Sequence, residues 1–307
     1  MNLFERIIAA RRVKKDGFIL ALGGGGGRGL AHLGVLDVLE QNGLKPDIII
    51  GSSIGALFGA MYAVQPDAQA VIKRAKSILD SEQFANLSLP PSGESDNGEQ
   101  NWFTKLSTAA RQTLLFVRAA TDRSVADTDA LINIAFTFCA GECFNNAAIP
   151  IYITAVEFPN GECHLFSADS DIKLACAIAA SMAIPGVFDP VGIKGKKYVD
   201  GGLGSDIPAQ EAQMLATPEQ LVLAVNVGAR PSADYEPANV YEMLDWATQI
   251  KSLYLRKYNK GYADILIEPL VGFTQWNDFS HPEQEIEMGR KAALEVLPEL
   301  LAKLGHA

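Results

Sequence analysis

The chain has 307 residues, 48% of them hydrophobic, with 26 Lys and Arg against 36 Asp and Glu and a formal net charge of −10; it is long enough to bury one large core or two modest ones. That acidity argues against a nucleic-acid partner, because phosphate binding needs clustered Lys and Arg and no basic stripe occurs beyond the N-terminus. Cys139, Cys143, Cys163 and Cys176 stand in apolar or helical surroundings without a CxxC pair, so buried reduced thiols and a cytosolic compartment are expected, not disulfides or metal ligands.

Residues 2–13 read as a helix with Leu3, Phe4, Ile7 and Ile8 on one face and Arg6, Arg11 and Arg12 beside them, followed by Lys14 and Lys15. Such a helix either lies on an anionic membrane surface, giving peripheral contact through residues 2–15, or packs against the body; both readings stay open. Charges at Glu5, Arg6, Arg11 and Arg12 interrupt the apolar segment that an export signal requires. Residues 1–17 form this helix and its end, and 18–307 the body.

Phe18–Leu22 is an apolar strand running into Gly23 to Gly27, Arg28 and Gly29, after which Leu30, Leu33, Gly34, Val35, Val38 and Leu39 recur at helical spacing. In a strand, glycine loop and helix, successive N–H groups turn inward to hold an anion, and the helix adds the positive end of its dipole. Gly24, Gly26 and Gly29 also satisfy the dinucleotide fingerprint Gly-x-Gly-x-x-Gly. The second strand, however, ends in Gly51-Ser52-Ser53 where a ribose-binding acidic residue would be needed, and no Gly-Lys-Ser/Thr follows for a Walker loop. The better reading is an oxyanion hole over Gly24, Gly25, Gly26, Gly27, Arg28 and Gly29.

Ile48–Ile50 is a β-branched run too short for a helix, Gly51 and Gly55 flank Ser53 at the spacing Gly-x-Ser-x-Gly, and an apolar helix follows. This is the pattern of a nucleophile elbow, whose turn forces the serine into a strained conformation and needs neighbours without a Cβ. Ala56–Val64 and Ala68–Leu79 read as helices separated by Pro66. Leu87–Gln100 is polar, Pro- and Gly-rich and aperiodic, a surface loop. Trp102–Ala119 is an apolar helix that packs in the core or forms a lid or acyl-chain wall, which makes 87–128 the candidate insert.

Leu131–Phe138 is a further helix, and Pro150–Val156 and Glu162–Ser167 are strands around the hairpin signal Pro159-Asn160-Gly161. Ile172–Ala183 is a helix rich in small residues, expected to pass close to another element, with a place beneath the elbow as one option. Gly192–Gly202 is a hairpin whose second strand ends in Asp200, Gly201 and Gly202. An Asp-Gly pair is ordinarily only a turn, but Ser53 otherwise lacks a base, and two glycines permit close backbone approach. Leu221–Val227 and Ile265–Pro269 are strands, Val240–Tyr258 and Pro282–Leu304 helices. Strands alternating with helices imply a layered α/β fold around a largely parallel sheet. Ile48–Val64 and Leu174–Phe188 carry no charge but are too short and interrupted to span a membrane.

Three motifs in order, Gly24-Gly-Gly-Gly-Arg28-Gly29, Gly51-Ser-Ser53-Ile-Gly55 and Asp200-Gly-Gly202, closely resemble those of the patatin-like phospholipase family. Ala180–Gly186 and Leu203–Pro208 are similar to it too, so the likeness covers nearly the whole chain apart from the N-terminus and 87–128. The resemblance implies an α/β/α hydrolase domain with a Ser-Asp dyad: Ser53 as nucleophile, Asp200 as base, the glycine loop as oxyanion hole. It implies a lipid or acyl-ester substrate of the phospholipase or lysophospholipase kind, and chemistry that needs no metal or organic cofactor. The chain departs from the family pattern at Asp206, where members often carry Asn, and in the acidic stretch around Glu94–Glu99. Arg28 either holds the loop in shape or attracts a lipid phosphate.

Asp200 and His281 also stand in the order of a Ser-Asp-His triad, but that fold places several strands before its elbow and only two precede Ser53. An acyl-carrier transacylase would use the same serine and pass the acyl group to a thiol ahead of water. A regulatory nucleotide-binding protein would use the glycine loop and leave Ser53 unlabelled by an active-site phosphonate.

Overall fold

The short aliphatic runs become strands and the longer periodic ones helices. The computed structural model describes residues 16–85, 87, 126–230, 236–238, 240–272 and 274–305. The expected N-terminal helix over residues 2–13, the helix Trp102–Ala119 and all but the edges of the insert 87–128 lie outside the described residues. In chain order the elements are β1 (Gly17–Leu22), α1 (Ala31–Gln41), β2 (Ile48–Gly51), α2 (Ile54–Val64), α3 (Ala68–Leu79), α4 (Glu82–Ala85), α5 (Thr128–Phe138), β3 (Ile151–Phe158), β4 (Cys163–Phe166), α6 (Leu174–Met182), β5 (Val191–Ile193), β6 (Lys196–Asp200), α7 (Ala209–Leu215), β7 (Gln220–Val225), α8 (Val240–Asn259), β8 (Ile265–Ile267) and α9 (Pro282–Leu304).

One sheet runs β5-β6-β3-β2-β1-β7-β8, with β4 paired to β3. The pairs β2–β1, β1–β7, β7–β8 and β2–β3 are parallel, and those within β3 to β6 antiparallel. Alternate side chains feed two cores, as a strand buried on both faces requires. Phe18, Leu20, Leu22 and Ile49 join the larger core with α1, α2, α3, α5, α6 and α9, while Ile19, Ala21, Ile50, Val222 and Ala224 pack under Ile207 and α7. Each fully buried aliphatic side chain contributes about 2 kcal/mol of transfer free energy.

The register of β3 explains how distant residues meet. Ile153 pairs with Gly51 of β2 on one edge and Phe166 of β4 on the other, and Ala155 pairs with Asp200 of β6 and His164 of β4. Since β4 holds one edge throughout, β2 and β6 lie end to end along the other. β2 runs parallel to β3 and β6 antiparallel, so the two carboxyl ends face each other across roughly two residues of strand, about 7 Å. Everything that follows β2 and β6 is therefore delivered to one point.

At the far end of the sheet's helical layer, α1 and α9 cross with backbones in contact. A Cβ on Gly34 would run into the carbonyl of Ile286, and one on Gly289 into that of Ala31. This crossing anchors the helix that leaves the glycine loop.

Most expected elements stand within a few residues of their positions. α2 starts at Ile54, two residues early, because Ser53 turns sharply enough for the helix to begin at once. α7 was not anticipated: at seven residues it is shorter than two turns and shows no readable period. The expectation of four buried thiols is corrected. Only Cys139 is buried; Cys176 is intermediate, and Cys143 and Cys163 are exposed, though all four are free. Cys163 opens β4, a strand paired among the described residues with β3 alone, and Cys143 precedes a short turn at Phe144–Asn146. Among the described residues no helix is long and apolar enough to cross a membrane.

Candidate active site

Ser53 lies between β2 and α2 with φ 53° and ψ −122°, a conformation that costs a side-chain-bearing residue about 1–3 kcal/mol. The flanking glycines permit it: a Cβ on Gly51 would strike the backbone of Ala56, and one on Gly55 the carbonyl of Leu22. At the facing strand end, Asp200 accepts a hydrogen bond from the Ser53 hydroxyl, Oγ to Oδ2 2.7 Å. Its other oxygen, Oδ1, accepts the Gly202 N–H at 2.7 Å. Both side chains are buried, at 8% and 7% exposure.

Burial pushes the Asp200 carboxyl up to about 7, against the lowering effect of the Ser53 and Gly202 hydrogen bonds and with a further push from Asp206. Near neutrality such a group can take a proton and give it back, which is what acid–base catalysis requires.

The glycine loop passes beside Ser53. Gly24 donates its N–H to the Asp206 carbonyl at 2.8 Å and Gly27 to the Trp276 carbonyl at 2.6 Å, whereas the N–H groups of Gly25 and Gly26 meet no acceptor among the described residues. Gly26, at φ 60°, opens a short 3-10 turn through Arg28 and Gly29 to Leu30, so a tighter turn stands between the loop and α1. Of the six loop positions, Gly26 to Gly29 lie in the turn, Gly24 and Gly27 have their N–H engaged by other segments, and Gly25 and Gly26 keep an N–H without an acceptor among the described residues.

Arg28 donates from Nε to the Val227 carbonyl at 3.0 Å and from Nη1 to the Thr274 carbonyl at 2.7 Å. Both partners are neutral, and burial pulls the guanidinium down to about 10. These contacts brace the loop against the segments after β7 and before α9. Asp206 pairs with Arg256 of α8 at 2.7 Å, and Arg256 also donates to the Ala229 carbonyl at 2.6 Å. The Asp206 carboxylate is thus matched by a cation, in an environment that raises its pKa through burial while Arg256 opposes.

Ser53, Asp200, Gly24, Gly25, Gly26 and Arg28 share a cleft of about 220 Å³. Ile184, Pro185 and Leu203 give it apolar surface; Thr248, Ser252 and Arg256 of α8, together with Trp276, give it polar and aromatic surface. Sequence reasoning missed the α8 contribution, although 248, 252 and 256 follow the i, i+4, i+8 spacing of a single helix face. None of the described histidines is among the lining residues. His281 is exposed where α9 begins, and His164 packs edge-on against Phe166 and at a tilt against Tyr198, with ring centroids 4.4 and 5.3 Å away. Among the described residues no group of three His, Cys, Asp or Glu side chains is placed to hold a metal ion.

His32 sits inside α1, fully buried, with Nε2 2.8 Å from the Gly23 carbonyl. Burial holds its pKa down to about 4, so the folded protein keeps it neutral while the unfolded chain takes up a proton near 6.5. Its share of stability is present above pH 6.5, falls as pH drops toward 4, and changes no further below that. His32→Gln, which can still donate to Gly23, should lose less in urea midpoint than the parent between pH 7 and pH 4.5. Equal losses would show that His32 does not titrate on unfolding.

The family model described as patatin-like phospholipase matches residues 20–212, more than half of the chain. The lysophospholipase NTE1 of Scheffersomyces stipitis is 26% identical over 282 residues, 92% of this chain and 15% of that protein. The patatin-like phospholipase domain-containing protein ZK370.4 of Caenorhabditis elegans is 27% identical over 249 residues, 79% of this chain. The chain spans only 15% of the length of either relative. VipD from Legionella pneumophila shares the fold, with a TM-score of 0.50 and 16% identity over 93% of this chain and 67% of its own.

Proposed function

As the chain belongs to the patatin-like phospholipase family, we propose that it is a serine lipid acyl hydrolase in which Ser53 attacks and Asp200 is the base. The observation that carries this reading is the 2.7 Å hydrogen bond from Ser53 to a carboxyl group whose pKa burial raises to about 7, beside two N–H groups without an acceptor among the described residues. Ser53 Oγ adds to the ester carbonyl carbon as its proton passes to Asp200. The oxyanion is received by the Gly25 and Gly26 N–H groups, with Gly24, Gly27, Arg28 and Gly29 holding the loop in place. Asp200 then returns the proton to the departing alcohol, leaving an acyl-enzyme. Water repeats the sequence, giving a proton to Asp200 and displacing Ser53, which recovers it.

The acyl chain lies against Ile184, Pro185 and Leu203, and the polar part of the substrate toward Thr248, Ser252 and Arg256. The name of the yeast relative makes a single-chain phospholipid the first substrate to offer. A fluorophosphonate should label Ser53 on peptide mapping, and hydrolysis of esters of graded length should favour the longer acyl chains. Leu203, 54% exposed, borders the apolar part, so Leu203→Glu should remove most of the long-chain preference and leave short esters nearly untouched. Label on another residue, or transfer to a thiol outrunning transfer to water, would defeat the hydrolase reading.

A further inference from the structure

Facing strand ends bring Ser53 and Asp200 together, but strand ends alone do not set a 2.7 Å contact. Each residue also needs a partner for its own backbone N–H, and a buried N–H left without one costs about 1–3 kcal/mol. At Ser53 the positive-φ turn takes the N–H out of the sheet ladder. It donates instead to Ser181 Oγ at 2.8 Å, across 128 residues of chain. At Asp200 the N–H donates to the carbonyl of Ala183 at 3.0 Å.

Ser181 and Ala183 are two residues apart at the end of α6, both fully buried. The Ala183 carbonyl is one of the terminal acceptors that a helix leaves without an internal partner, and here Asp200 takes it. The backbones of the nucleophile and the base are thus fastened to one rigid three-residue segment. Small neighbours on α6, Ala177, Ala179 and Ala180, all fully buried, let it approach this closely. With its own N–H spent on Ser181, Ser53 cannot lend that group to an oxyanion.

We propose that the end of α6 is a bracket that sets the Ser53–Asp200 distance, and that Ser181 is a positioning residue for the reaction. The inference rests on the Ser53–Asp200 reading of the site. Without the hydroxyl of Ser181 the strained turn at Ser53 loses its anchor, and Oγ drifts from Asp200; misplacement of a reacting atom by about 1 Å costs on the order of 100-fold. The Ser53 hydrogen bond is one of two that hold the Asp200 pKa down, while Asp206 is the charged group pushing it up. Loosening the first should move the acidic limb of the pH–rate profile upward, an effect that a general loss of stability does not produce.

The test compares parent, Ser181→Ala, Ser181→Cys and Ser181→Thr on a soluble short-chain ester, with melting temperatures measured alongside. Ser181→Ala should lower kcat by about 10-fold or more with KM within about twofold, and its acidic limb should lie above the parent's. Ser181→Thr keeps the acceptor oxygen and should recover most of the rate. If Ser181→Ala does not fold, Ser181→Cys decides, since sulfur fills the space and is a weak acceptor. A folded variant lacking the hydroxyl with the parent's kcat and limb overturns the bracket. The parent's fluorophosphonate label separates the two ideas: without label at Ser53 the dyad itself fails, and with it an unaltered Ser181 variant fails the bracket alone.

Discussion

Ser53→Ala and Asp200→Asn should each remove ester hydrolysis, by roughly 10³-fold or more, while His164→Gln and His281→Gln leave it close to the parent rate. The asymmetry follows from which groups reach the serine. Its hydroxyl is bonded to Asp200, and none of the described histidines lines the cleft. Hydrolysis should rise with pH through about 7 as the buried carboxyl loses its proton, and Asp206→Asn should move that limb down, because Asp206 is the charge that pushes Asp200 up. An imidazole would titrate in the same range, so the profile gains meaning only with the substitutions. A folded His281→Gln protein as slow as Asp200→Asn would replace the dyad with a triad.

The same pKa carries a stability consequence of opposite sign to that of His32. A carboxyl raised from 3.8 to about 7 in the folded state penalises folding more and more as pH climbs from about 4 to about 7, and by a constant amount above. Asp200→Asn should therefore melt higher than the parent at pH 8, with the gain shrinking toward pH 4. A catalytic group kept at the expense of stability is a familiar compromise.

The elbow and the glycine loop were legible in the sequence because their geometry admits almost no other residues. Gly51, Gly55 and Gly26 each sit where a Cβ would meet backbone, so composition at those points reports conformation. Asp200 was legible only by pairing a strand end with a serine in need of a base. What the sequence concealed was the reason they meet. That lies in the register of β3, where β2 and β6 share an edge, and register depends on pairings that no local pattern encodes. The α8 wall was hidden differently: Thr248, Ser252 and Arg256 look like the solvated face of an amphipathic helix, and only tertiary packing turns that face to the cleft. Arg256 in turn accounts for Asp206, a position whose oddity was visible while its partner, 50 residues on, was not.

Gly26→Ala should lower kcat by about 100-fold or more while the protein stays folded. Two effects act together at this position. The backbone holds φ at 60°, which costs an alanine about 1 kcal/mol, and the new Cβ would run into the Trp276 carbonyl. Neither can be relieved in place, because Gly27 is tied to that same carbonyl and Arg28 is braced to Val227 and Thr274. The loop must tilt away at Gly25 and Gly26, the two positions whose N–H groups are free to meet an oxyanion. Ground-state binding depends on the cleft walls and should change little, so the loss should fall on kcat and leave KM within a few fold. Fluorophosphonate labelling of Ser53 should slow in parallel, since its phosphoryl oxygen needs the same donors. A folded Gly26→Ala enzyme with the parent's kcat would mean that the oxyanion is held somewhere other than the glycine loop.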